Sequence, residues 1–329
     1  MIISQTPLRI SFAGGGTDLK DYYRLQDGWV ISSAIDKYVF VIVNERFDDD
    51  IYINYSQKER VSRVDDIRHD LVRETMKKVG ITKGVEITTL ADIPSEGSGL
   101  GSSSSVTVGL LKALYAYQGI STAAEVLARE ACEIEIDVLG KPIGKQDQYI
   151  AAYGGMRFLE FCQDESVRVS KIDLENGEKR AFGANLLLFY TGVTRKADAI
   201  LHTQKKESAN KADVLTKMKH QAAAVREYIS IRQFDRVGEV LHEAWEYKKS
   251  LVSAITIPEI DRMYEIARRG GTIGGKICGA GGGGFLLLYC PRDKQTELRR
   301  LMKGYREFPF FLEKSGSKII FNYERYEWK

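Results

Sequence analysis

The sequence predicts an α+β fold, and three observations carry that expectation. Runs rich in β-branched and aromatic residues crowd the first half of the chain, and helical periodicity follows its most polar loop. Strands and helices do not alternate in the regular way that a parallel sheet needs.

Taken in order, "LRISF", "GWVISSA", "YVFVIV", "VEITTL" and "MRFLEF" read as strands. Before the last of them comes "SEGSGLGSSSSV", Ser95 to Val106, with three glycines and six serines in twelve residues. Val106, Leu110, Leu114 and Tyr117 then recur at helical spacing, which predicts a helix with one apolar stripe starting at the loop. The next helix opens with Thr122 and Glu125 at capping-box spacing and carries Leu127, Ala131, Ile134 and Val138 on one face. It stops at Gly140, with Pro142 beyond. From about Asn185, "NLLLFYT" reads as a strand, and long helical segments run from about Lys196 to Lys249. Pro258 starts a helix ending at Gly270 and Gly271, followed by "GFLLLYC", a helix through "KQTELRRLMKG" and a last strand "KIIFNYE". The change of character near residue 185 predicts two units, 1–184 and 185–329.

Composition limits the function. Hydrophobic residues at 43% and charged residues at 28% suit a globular chain with a sizeable core. A net charge of +3, from 48 basic and 45 acidic side chains mixed along the chain, argues against a dedicated nucleic-acid or membrane-surface protein, while leaving room for a local basic pocket. The opening "MIISQTPLRI" lacks the zones of a signal peptide, and no apolar run approaches the ~18 residues that span a bilayer, so a cytoplasmic protein is expected. Cys132, Cys162, Cys278 and Cys290 have no CxxC spacing and lie in apolar contexts, which predicts buried thiols rather than disulfides; four scattered histidines argue against a zinc centre.

The serine loop has two readings, a flexible connector and a phosphate cradle. Glycines let backbone N–H groups converge on an anion, and a helix starting directly afterwards adds its positive end. Serine hydroxyls add donors, and one can ligate magnesium. Two better-known phosphate motifs fail: "GGTIGGKI", Gly270 to Ile277, has Ile277 where the Walker A pattern needs Ser or Thr, and "GAGGGG", Gly279 to Gly284, leads into a strand rather than a helix.

"PSEGSGLGSSSSV" resembles the PxxxGLGSS phosphate loop of the GHMP kinases. "PLRISFAGGGTDL" is similar to the substrate segment of that family's sugar kinases, and "KICGAGGGGFLLL" to its third, glycine-rich motif. The three occur in the family's order over most of the chain. The resemblance implies a two-part α+β architecture, an amino-terminal unit like ribosomal protein S5 domain 2 and a ferredoxin-like carboxy-terminal unit, using ATP and Mg2+. "SFAGGGTD" most resembles the branch that phosphorylates the anomeric hydroxyl of heptose 7-phosphates. A fucokinase-like sugar 1-kinase and a non-catalytic sugar and ATP sensor are the alternatives.

Residue by residue, the resemblance implies that Gly97, Ser98, Gly99, Leu100, Gly101 and Ser102 wrap the nucleotide phosphates with Ser103. It makes Ser103 and Glu135 the magnesium ligands, Asp147 the catalytic base, and Arg9 the cation facing it. Gly14, Gly15, Gly16, Thr17 and Asp18, with Gly281 and Gly282, would receive the sugar. Read alone, Glu135 could be a solvated helix face, Asp147 a helix cap, Arg9 a surface residue and Asp18 an Asx turn. Gly15 and Gly16 stand where galactokinases carry Glu and His, which opens space for a longer, phosphorylated sugar. Lys145, Arg195 and Lys196 are candidate cations for its phosphate.

Overall fold

The computed structural model describes residues 1–93, 97–193 and 211–323; Arg195 and Lys196 lie outside the described residues. β1 (Ile2–Ala13) and β2 (Gly28–Glu45) pair antiparallel along most of their length. The runs "GWVISSA" and "YVFVIV", expected as two strands, are therefore one. Ile35 sits opposite Leu8, Tyr38 opposite Pro7, and a bulge between Pro7 and Leu8 absorbs the difference. At 18 residues β2 outreaches any one partner: its first part pairs with β6 (Met156–Phe161) and its last part with β5 (Val85–Ala91).

Three short strands that the sequence did not signal complete one flank. β3 (Ile51–Asn54) runs parallel to β5, β4 (Lys58–Val61) pairs with β3, and β7 (Val167–Lys171) pairs with β6. The last strand, β12 (Lys318–Asn322), does not stay with the rest of the carboxy-terminal half. It pairs with β1, so the chain after residue 185 is not one contiguous unit. Pairing there covers the outer edge of β1 and gives an eight-stranded sheet.

The Ser102–Tyr117 helix packs on β1 and β2 from one side and on the Asp70–Val79, Ala124–Cys132 and Gln146–Tyr153 helices from the other. It is central rather than one-striped: Ser104, Ser105, Thr107 and Gly109 are buried along with Val106, Leu110 and Leu114, while the expected Tyr117 is only half-buried. The polar groups meet backbone acceptors, Ser105 Oγ donating to Pro7 O at 2.8 Å and Thr107 Oγ1 to Ser103 O at 3.2 Å. The expected capping box at Thr122 does not form. The next helix starts at Ala124 without a side-chain cap, and Glu125 instead accepts hydrogen bonds from Tyr149 and Tyr153.

The second sheet is antiparallel, in the order β11 (Arg306–Glu307), β8 (Leu186–Tyr190), β10 (Phe285–Tyr289), β9 (Gly274–Ile277). Its unbroken apolar runs have a direct cause. Leu186, Leu188, Phe285 and Leu287 enter the main core, while Leu187, Phe189, Leu286 and Leu288 enter a second core around Trp245 and Met263. Burial on both faces removes the polar alternation of a half-exposed strand. The Phe234–Leu251 helix lies on β9 and β10, and the Ala212–Ser230 helix packs against it and on β1 and β2, tying the two sheets together. All four cysteines are free and buried, and among the described residues no helix is long and apolar enough to cross a membrane.

Candidate active site

A cleft of about 600 Å³ opens where the end of β1, the serine loop and the carboxy-terminal glycine motif meet. Gly97, Gly99 and Gly101 all have left-handed backbone, with φ of 72°, 74° and 76°. That conformation favours glycine and turns the loop directly into the Ser102–Tyr117 helix, for which Gly101 is the N-cap. The first N–H groups of that helix lack intrahelical acceptors, so the helix start is suited to an anion. Gly97, Ser98, Gly99, Gly101, Ser102 and Ser103 line the cleft. Leu100 does not: its side chain is core, and its carbonyl accepts the Arg9 N–H at 3.0 Å. Two buried hydroxyls on the cleft wall, Ser11 and Ser102, have no hydrogen-bond partner among the described residues, as expected of groups that meet a ligand.

Arg9 and Asp147 form a bidentate ion pair, Nε to Oδ1 at 2.7 Å and a terminal nitrogen to Oδ2 at 2.8 Å. The third nitrogen donates to the Gly99 carbonyl, so the guanidinium ties the carboxylate to the serine loop. Asp147 stands in the first turn of the Gln146–Tyr153 helix without capping it; the N-cap position is Lys145. A Cβ on Gly101 would lie 3.2 Å from Arg9 Cγ and 3.3 Å from Asp147 Oδ2, so the pair also needs this glycine.

Asp18 is buried beside them, accepting the backbone N–H of Gly16 at 3.0 Å and of Gln146 at 3.3 Å. Burial, and then the nearby Asp147 charge, push its carboxyl above the usual carboxylate range. Of the glycines expected at the sugar, Gly15 and Gly16 line the cleft and Gly14 does not. A Cβ on Gly14 would stand 1.9 Å from Trp29 O, and Thr17 Oγ1 bonds Gly14 O and the Trp29 backbone, so both residues hold the turn rather than a ligand. Gly281 and Gly282 likewise brace against Ile255, Gly282 N donating to its carbonyl at 2.8 Å. The cleft-facing members of that motif are Gly279 and Ala280. A Cβ on Gly15 would meet only Gln146 Nε2 at 3.8 Å, so the space expected there exists.

Ser103 Oγ donates to Glu135 Oε1 at 2.7 Å, and Gln148 Nε2 donates to Oε2 at 2.7 Å. Glu135 lies within a π-helical turn, Glu133–Val138, a distortion common at functional sites that periodicity could not reveal. It is fully buried, and burial raises its carboxyl pKa against the lowering effect of Lys141. A hydroxyl, one carboxylate and an unpartnered Ser102 hydroxyl at a helix start fit a magnesium ion, which takes few protein oxygens and shares the substrate's phosphates. Among the described residues no set of three or more His, Cys, Asp or Glu could hold a metal.

Three cleft lysines escaped the sequence. Lys141 Nζ lies 3.4 Å from Ser103 Oγ. Lys248 and Lys276 line it from the Phe234–Leu251 helix and β9, and both were legible in part. Lys248 falls on the apolar face marked by Ala244, Trp245, Leu251 and Val252, and Lys276 is the lysine of the failed Walker A match. Lys145, proposed from its position, is turned away: it donates to Glu165 O at 3.1 Å and sits over the Tyr23 ring.

Residues 67–155 match the GHMP kinases N terminal domain and residues 222–305 the GHMP kinases C terminal domain. The chain is 31% identical, over 95% of its length and 97% of the relative's, to D-glycero-alpha-D-manno-heptose 7-phosphate kinase of Campylobacter jejuni. It is 27% identical, over 91% of its length and 35% of the relative's, to L-fucokinase/L-fucose-1-P guanylyltransferase of Bacteroides fragilis. Its fold matches a solved D-glycero-D-manno-heptose 1-phosphate kinase of Bacteroides thetaiotaomicron with a TM-score of 0.83 at 24% identity, covering 98% of this chain and all of that one. With both halves matched and one relative aligned end to end, the chain belongs to the GHMP kinase family.

Proposed function

We propose that this ATP-dependent sugar kinase phosphorylates the anomeric hydroxyl of D-glycero-D-manno-heptose 7-phosphate, giving the 1,7-bisphosphate for nucleotide-activated heptose synthesis. The observation that carries the reading is the Arg9–Asp147 pair, held at Gly101 between the serine loop and Asp18. Asp147 accepts the proton of the C1 hydroxyl as its oxygen attacks the γ-phosphorus, and the bond to the ADP leaving oxygen breaks in line. Arg9 orients Asp147 and keeps positive charge beside the transferring group, while the amides at Ser102 and Ser103 face the developing negative charge. Asp18 orients the sugar by accepting from its hydroxyls. Ser103 and Glu135 would hold a magnesium ion, which when bound neutralises phosphate charge.

The named activity of the Campylobacter jejuni relative and the open space at Gly15 support a phosphorylated heptose. Fucokinase relatives favour a second reading, a fucose-type acceptor without phosphate. An ADP-release screen over sugars and their terminal phosphates separates the two, and phosphorus NMR of the product fixes the position. Turnover of fucose in preference to heptose 7-phosphate would reject the first reading.

A further inference from the structure

Lys248, on the Phe234–Leu251 helix, and Lys276, on β9, belong to elements that pack directly together. The two residues are only 7% and 3% exposed, yet both line the cleft. Lys248 Nζ donates to the Gly279 carbonyl, and Lys276 Nζ to the Phe12 carbonyl at 3.3 Å. Among the described residues neither forms an ion pair. Arg9 differs, because Asp147 neutralises it.

A buried ammonium without a counter-charge is costly, and an apolar side chain of similar length would be the cheaper filling if these positions served packing alone. Burial pushes Lys248 down to about 7 and Lys276 down to about 8; repulsion from Lys276 adds to the effect on Lys248. Among the described residues the pair has no ion-paired counter-charge, and an anion bound in the cleft would supply one. The nucleotide's phosphates have their own donors in the serine loop, the helix start and Lys141. Lys276 stands at Phe12, on the strand that leads into the Gly14–Asp18 turn, and Lys248 at Gly279, which packs against Gly99; Asp18, read above as orienting the sugar, is the carboxylate whose charge reaches both.

We propose that Lys248 and Lys276 form the subsite that holds the acceptor's own phosphate and so select a phosphorylated sugar over its unphosphorylated counterpart. A phosphate monoester carries about −1.5 to −2 at neutral pH, a charge that two ammonium groups match. The inference rests on the phosphorylated-acceptor reading above and adds the residues that enforce it. No step in phosphoryl transfer passes through either lysine; they position the substrate.

The test uses matched acceptors, heptose with heptose 7-phosphate and mannose with mannose 6-phosphate, on the full chain and on Lys248→Met and Lys276→Met. The wild type is expected to prefer the phosphorylated member of a pair. Each substitution should reduce that ratio of kcat/KM by about 10- to 100-fold, the loss of one charge-assisted contact. ATP KM should hold and the melting temperature should not fall, an outcome that a structural role for the lysines does not produce. Lys248→Gln and Lys276→Gln keep a donor for the two carbonyls, carry the same expectation, and serve if the methionine variants do not fold. A wild type without preference for the phosphorylated member overturns the acceptor reading. A preference that survives both substitutions overturns the lysine subsite alone. Loss of ATP affinity in place of the ratio also overturns it, assigning the pair to the nucleotide.

Discussion

Gly99 and Gly279 face each other backbone to backbone. A Cβ on Gly99 would stand 2.4 Å from the Cys278 carbonyl oxygen, and a Cβ on Gly279 would stand 2.6 Å from the Gly99 Cα. Gly284 is wedged in the same way, its Cβ 2.4 Å from Ser98 O. Much of the glycine in the two motifs therefore lets the serine loop and the carboxy-terminal loop interlock, and that contact fixes the position of the serine loop.

Gly279→Ala should then damage the nucleotide site although the residue lies far from the serine loop in sequence. The expected result is a raised ATP KM together with a stability loss of about 1–3 kcal/mol, from backbone strain plus steric conflict. Gly119→Ala, with φ of 75° but nothing near its Cβ, isolates the strain. An equal stability loss in both variants with unchanged ATP KM for Gly279→Ala refutes the interlock.

Acceptor length can be probed at Gly15. Gly16 has φ of 99°, so a side chain there strains the backbone and confuses the readout, whereas Gly15 faces open space. Gly15→His should lower kcat/KM for heptose 7-phosphate at least about tenfold more than for a short hexose, by filling room that only the longer sugar uses. Equal losses for both acceptors would show that the space serves something else.

The metal reading predicts an effect on magnesium rather than sugar. Glu135→Gln keeps a hydrogen-bond acceptor for Ser103 and removes the buried charge. The magnesium concentration for half-maximal rate should rise by about 10- to 100-fold, with acceptor KM unchanged. An unaltered magnesium titration removes Glu135 from the metal site.

Lys248 and Lys276 give the site a pH signature. The titratable and charged groups facing Lys248 are Lys276, the Cys278 thiol, Arg9 and Asp18; Lys276 faces Lys248, Cys278, Arg9 and Asp18. Both folded pKa values lie below the ordinary 10.5, so the unfolded chain binds more protons than the folded one between about 7 and 10.5. These two groups therefore make the ligand-free protein more stable as pH rises through that window. An acceptor phosphate favours the charged form, so its binding should take up protons near pH 8 and weaken at higher pH. Titration calorimetry of heptose 7-phosphate in buffers of different ionisation heat reads this directly, and zero proton uptake argues against the subsite.

Much of the fold was legible because its signals are local. The apolar runs of β8 and β10, the serine loop and the helix stop at Gly140 follow from patterns within a few residues. Four features were not. β12 belongs to the first sheet through pairing with β1, a contact between opposite ends of the chain that no window of sequence contains. The charged β3–β4 hairpin has too little apolar alternation to announce itself. Gly14, Thr17, Gly281 and Gly282 share motifs with residues that line the cleft, and only the turn geometry separates those that brace from those that face a ligand. The lysines were hidden for another reason: helical spacing puts Lys248 on the apolar face with Ala244, Trp245 and Leu251, but only packing shows that this buried ammonium lines a cleft.

Asp147 allows the sharpest separation of chemistry from scaffold. Its carboxylate does not cap the Gln146–Tyr153 helix, so the alternative to a catalytic role is that of an anchor holding Arg9 against Gly99. Asp147→Asn preserves shape and one acceptor for the guanidinium while abolishing the charge that takes up a proton. Loss of a general base should lower kcat by about 10²–10⁴ with ATP affinity nearly intact. Arg9→Met removes the guanidinium and leaves the carboxylate, so under the anchor reading it should reproduce the Asp147→Asn defect, including a shared loss of ATP affinity as the serine loop slackens. Under the catalytic reading the two differ: Asp147→Asn remains folded and binds ATP but hardly turns over. Measuring kcat, ATP affinity and melting temperature on the same preparations decides the matter. A nearly normal kcat in Asp147→Asn leaves Arg9 and the loop amides as the principal catalysts.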